Sequence, residues 1–151
     1  MKKIRILPVF CVLFLLLTMA SRPDDAPAEE KNSGVVEIKE KMFIAQTNDI
    51  YLNAEDYLGK TIKLQGIFFV DGTPEAGDEY CGVIRYGPGC CGFDGLAGFE
   101  VHWDKEYPKP NDWVEAVGVL EQYEEDGEKY LRLLLSSLTV QSRRGAERVT
   151  Q

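Results

Sequence analysis

Three cysteines and the only histidine of the chain fall within one glycine-rich stretch, Tyr80 to Trp103. Cys81, Cys90, Cys91 and His102 are spaced C-x8-C-C-x10-H. Three thiolates and one imidazole form a Cys3His donor set, which suits tetrahedral zinc and accommodates softer ions such as monovalent copper. Gly87, Gly89 and Gly92, with Pro88 stiffening the turn, allow a backbone tight enough for the adjacent cysteines to face one centre. The spacing matches no zinc-finger signature, so the donor types carry this reading. The four donors meet if Cys81 and His102 face each other on paired strands.

Two other chemistries compete for the same thiols. Cysteines of an exported protein usually pair, yet three cannot all pair within one chain. A Cys90–Cys91 bond strains the intervening peptide, so the structural alternative is one disulfide from Cys81 to Cys90 or Cys91. Thiol redox chemistry needs a low-pKa thiolate beside a cation or a helix N-terminus. Arg85 is the nearest candidate cation, and there is no Cys-x-x-Cys. Asp94 and Glu100 offer a pair of carboxylates, but Asp94 in Phe-Asp-Gly reads more simply as a turn residue. No phosphate-binding glycine loop, Ser-His-Asp order or zinc-protease helix is present, so a binding module is expected rather than an enzyme.

The compartment follows from the N-terminus. Lys2, Lys3 and Arg5 precede an apolar run, Ile6 to Leu17, and Thr18-Met19-Ala20 supplies small residues for cleavage, which predicts a secretory signal peptide over residues 1–20. The run falls short of the roughly 20 apolar residues of a spanning helix, which weighs against an uncleaved anchor. Residues 21–34 combine Pro, Asp and Glu without a large apolar side chain and read as a disordered acidic linker. Loss of Lys2, Lys3 and Arg5 leaves 14 Lys and Arg against 25 Asp and Glu, a formal charge of −11. Such a field repels phosphate backbones, so nucleic acid is not an expected partner. The expected location is extracytoplasmic.

The elements that must position the cysteines are strands. Ile62, Leu64, Gly66, Phe68 and Val70 alternate along one face, with Gly66 marking a bulge or sharp coil. Tyr80–Tyr86 and Ala97–Trp103 predict two more strands around a long loop. Trp113–Tyr123 and Lys129–Gln141 predict a hairpin closed by Asp126-Gly127. Val35–Ile38 predicts a short strand, and Ala54–Leu58 a short helix capped by Asn53 and ended by Gly59. The segment Met42–Leu52 reads equally well as helix or extended chain. Together these predict a mainly β fold over residues 35–141, a small five-stranded OB-like antiparallel barrel with one short helix. Residues 142–151 read as a polar, frayed tail.

The run Tyr57-Leu58-Gly59-Lys60-x-Ile62-x-Leu64-x-Gly66, followed by Arg85, Cys90-Cys91, Asp94 and Trp113-Val114-x-Ala116-x-Gly118, resembles the soluble OB-like domain of an uncharacterised bacterial two-component permease family. The likeness spans roughly residues 38–140, and Cys90-Cys91 is its most distinctive part. It implies a membrane protein as partner. Cys81 and His102 have no counterpart in the family pattern.

Overall fold

The computed structural model describes residues 34–72 and 79–150. The expected signal segment 1–20, the linker up to residue 33 and residues 73–78 of the turn-rich excursion after Asp71 lie outside the described residues. The elements run β1 (Val36–Glu37), a single 3-10 turn (Glu40–Met42), α1 (Phe43–Leu52), α2 (Ala54–Tyr57), β2 (Thr61–Asp71), β3 (Tyr80–Gly89), β4 (Gly92–His102), β5 (Trp113–Glu125) and β6 (Glu128–Val140).

Strands β2 to β6 form a closed five-stranded barrel in the order β2-β3-β4-β6-β5, sealed by β2 against β5. The OB-like barrel expected from the alternation is therefore present. One pair departs from the all-antiparallel expectation: β4 and β6 run parallel, Glu100 opposite Arg132 and His102 opposite Leu134. The reason is topological. β5 intervenes in sequence but lies on the far side of β6, so β6 returns in the direction of β4.

Strand β2 serves two neighbours. Thr61 to Ile67 pairs with β5 and Ile67 to Asp71 pairs with β3. Gly66 sits at this changeover, where an added Cβ would stand 2.5 Å from the Ile84 carbonyl oxygen. Its predicted kink is thus a close backbone approach. Inward side chains from the strands, including Ile62, Leu64, Phe68, Phe99, Val114 and Leu133, are almost wholly buried. Segment 43–52, open in the sequence, is helical and drops Phe43, Thr47 and Ile50 onto this core at i, i+4 and i+7. The predicted short helix is present as α2, and Gly59 takes the left-handed conformation at φ 78°. Asn53 does not cap it: its Nδ2 donates to Asp49 Oδ1 at 2.8 Å.

The C-terminal segment is not frayed. β3 parts from β2 beyond Ile84, which leaves the backbone edge of Tyr86 open, and the tail fills it. The Tyr86 amide donates to the Glu147 carbonyl and the Val149 amide donates to the Tyr86 carbonyl, both at 2.9 Å. Val149 is buried as a result.

One charged side chain ties these parts together. Arg85 is 2% exposed. Its guanidinium lies 4.7 Å from the Phe43 ring centre and 4.8 Å from that of Trp113. Nε donates to the Gln65 carbonyl at 2.8 Å, and Nη1 donates to Glu40 Oε2 at 3.1 Å and to the Ala146 carbonyl at 3.0 Å. Glu40 Oε2 also accepts the Ala146 amide at 2.9 Å. That amide, and then Arg85, hold the Glu40 carboxyl below its ordinary 4.5. Burial pulls the Arg85 pKa down while Glu40 raises it, and an arginine keeps its charge through such shifts.

Replacing Arg85 by Met strands two carbonyls and Glu40, so it should destabilise the fold by about 3 kcal/mol in urea unfolding. Glu40 has a depressed folded pKa, so its contribution is present above about pH 4.5 and is lost as pH falls through the lowered value. Glu40→Gln should flatten that acid limb of the stability curve; an unchanged acid limb would refute the assignment.

Candidate metal centre

The stretch expected as a long loop is a β-hairpin arm. The β3–β4 ladder runs from Gly82 opposite Glu100 to Gly87 opposite Gly95, and resumes with Gly89 opposite Gly92 after a one-residue shift. Cys90 and Cys91 are the two residues of its turn. Gly92, at φ 111°, supplies the left-handed backbone that lets the chain re-enter the ladder.

At this tip the Cys90 and Cys91 sulfurs lie 3.5 Å apart. Asp94 folds back over the turn, its Oδ2 3.4 Å from Cys90 Sγ. Its carboxylate also accepts the Cys91 amide, at 3.2 Å to Oδ2 and 3.3 Å to Oδ1. The irregularity in the ladder brings Asp94 round, and Gly89 makes room for it: a Cβ there would stand 1.8 Å from Asp94 Oδ1. One ligand atom from each of Cys90, Cys91 and Asp94 lies within 4.8 Å of the others, and all three residues are exposed.

These spacings suit a tetrahedral ion. Zinc bonds of about 2.3 Å to sulfur and about 2.0–2.2 Å to carboxylate oxygen put the sulfurs about 3.8 Å apart and sulfur and oxygen about 3.5 Å apart. The tip already approximates the sulfur–sulfur separation and, for Cys90, the sulfur–oxygen one. The Cys90 thiol is not activated for redox work. Hydrogen bonding with Cys91 and then Asp94 raises the Cys90 pKa, because the proton is shared with acceptors that favour the neutral thiol. Arg85, the expected cation, is held between Phe43 and Trp113.

Of the four donors expected together, Cys81 and His102 stand elsewhere. Cys81 pairs with Val70 at the base of the arm, and His102 ends β4 at that same base. The nine residue steps from Cys81 to Cys90 separate base from tip by roughly 25–30 Å of strand. His102 is exposed, with Nε2 3.3 Å from Asp104 Oδ1. Burial, followed by the charges of Glu79 and Glu100, raises the Cys81 pKa. The structure thus brings Cys90 and Cys91 together with Asp94 and not with Cys81 and His102. A disulfide from Cys81 to either tip cysteine is also out of reach, since bridged Cα atoms lie within about 7 Å. All three thiols are free. Asp94, which reads from the sequence as a turn residue or as one of a carboxylate pair, lies instead within β4 just beyond the turn, and its carboxylate folded over the two cysteines is what makes it a candidate third donor.

The family model of the DUF1980 C-terminal domain matches residues 17–147. The chain belongs to this family. It is an uncharacterised domain family, in line with the resemblance read from the sequence, and its match covers the barrel, the arm and most of the docked tail. No curated protein and no solved structure matches the chain. The functional reading of this domain therefore rests on its own side chains.

Gly89→Ala should drive the Asp94 carboxylate off the turn while leaving the barrel intact. Amide exchange at Cys91 should accelerate to the level of Asp94→Ala, with an unchanged unfolding midpoint. Exchange that stays at the parental rate would show that Gly89 does not seat Asp94.

Proposed function

We propose that the domain is an extracytoplasmic, non-enzymatic binding module whose Cys90-Cys91-Asp94 tip takes a soft metal ion such as zinc. The observation that carries this reading is the grouping, within 4.8 Å, of the two sulfurs of a two-residue turn and a carboxylate oxygen from the strand that follows it. Three protein ligands leave one coordination position open. Open sites exchange a ligand, whereas purely structural zinc sites are closed by four protein donors. The tip therefore suits transient capture and hand-over of an ion. Binding displaces thiol protons, and because the Cys90 pKa is raised, affinity should fall as pH drops from about 9 towards 6.

The arm also supports a docking role on a membrane partner. Phe93, next to Asp94, and Leu96, further down the arm, are 44% and 53% exposed. Apolar side chains at an extended tip favour contact with a partner, which would then supply the fourth ligand.

Metal analysis and intact mass of the mature chain, purified without reductant or chelator, test the reading. One zinc per chain is expected, lost in Cys90→Ser and Cys91→Ser, weakened at least about tenfold in Asp94→Asn, and unaffected in Cys81→Ser and His102→Ala. A metal-free protein two hydrogens light in mass, or zinc retained in both cysteine variants, would sink it.

A further inference from the structure

A second site lies away from the arm's tip, under the exposed side of α1. Two adjoining cavities of about 300 and about 260 Å³ share Tyr51 and Tyr80 as common walls. The first is completed by Glu100, Gln122, Lys129 and Tyr130, and the second extends to Phe69 and Leu96. We propose that this groove binds a neutral oligosaccharide, one sugar ring to each cavity.

The aromatic rings are preset. Tyr51 is stacked on Phe99, with ring centres 5.1 Å apart and planes 7° from parallel, and its hydroxyl donates to the Gly98 carbonyl at 3.1 Å. Tyr130 packs on Tyr123 at 5.6 Å. Tyr123 in turn donates to Glu100 Oε2 at 2.5 Å. Yet Tyr51, Tyr80 and Tyr130 remain 46%, 40% and 45% exposed. Rigid aromatic faces of this kind offer apolar area at little cost in conformational entropy, which suits the C–H face of a pyranose.

The polar groups decide between ligand classes. Glu100 Oε1 has no hydrogen-bond partner among the described residues and accepts. Lys129 donates, and Gln122 does both, a mixture that matches vicinal hydroxyls. The Lys129 ammonium disfavours a cation in the same cavity, and the chain's formal charge of −8, or −11 without residues 1–20, disfavours an anion. OB barrels take oligonucleotides or oligosaccharides on the face of their second and third strands, here β3 and β4, and the charge removes the first of these. Single-strand nucleic acid would also need a basic groove around its stacking rings.

Calorimetry of the full mature chain against cellohexaose, maltohexaose and chitohexaose, with single-stranded oligo-dT as comparison, tests the proposal. Saturable binding of at least one sugar is expected, weakened about five- to tenfold in Tyr80→Ala, Tyr130→Ala and Glu100→Gln. It should be unchanged in Cys90→Ser, which separates it from the metal reading. Amide shift mapping on the parental protein provides a check that needs no variant: perturbation should centre on Tyr51, Tyr80, Glu100 and Tyr130. No binding of any of the three sugars at millimolar concentration, shifts confined to another face, or tighter binding of oligo-dT would overturn it.

Discussion

The burial of one guanidinium sets the terms for the rest of the fold. Arg85 occupies an inward position on a strand of a small barrel, where an unpaired charge would be untenable. Its planar shape resolves the difficulty: the guanidinium lies over two aromatic rings while its edge donates to two carbonyls and a carboxylate. A lysine has neither the flat faces nor the fork. The arrangement requires Phe43 from α1, Gln65 from β2, Trp113 from β5 and Ala146 from the tail, so it fixes four separate segments around β3. Trp113 carries a cost for its part, since its buried Nε1 has no hydrogen-bond partner among the described residues, worth about 1–3 kcal/mol.

With β3 anchored in this way, the arm can project. Gly66 on one side and Gly98 on the other let neighbouring backbones close on Val83 and Ile84; a Cβ on Gly98 would stand 2.1 Å from the Val83 carbonyl oxygen. Beyond that pinch the ladder continues through paired glycines to the cysteine turn. The barrel supplies rigidity at the base, and the glycines keep the arm slim enough for Asp94 to fold over its end. The aromatic groove sits on the broad flank of the same two strands, so the two candidate sites occupy opposite ends of one hairpin.

The sequence disclosed the barrel wherever side chains alternate. Ile62 to Val70, Val114 to Leu120 and Leu131 to Leu135 carry the period of a half-buried strand, and Asp126-Gly127, at φ 52° and 82°, forms the hairpin turn its residue types announce. The arm stayed hidden because Gly87, Gly89, Gly92 and Gly95 have no side chains with which to display a face. The docked tail was hidden because its partner is a strand edge, created only when β3 leaves β2. The placement of His102 is hidden for a third reason. The condition that Cys81 and His102 stand at the same end of two paired strands is met, but the length of the hairpin puts Cys90 and Cys91 at the other.

The docking of the last residues beside Tyr86 has a consequence for the order of events during synthesis. The partners of Arg85 span the chain from Glu40 to Ala146, so its desolvation is compensated only when Ala146 has left the ribosome. Until then the nascent barrel holds a strand edge without a neighbour and a cation without its full complement of acceptors. Closure is therefore a late, long-range step, of the kind whose loop-closure entropy must be met before the contacts reward it. A domain built this way remains uncommitted to its final shape until residues 146–149 reach it.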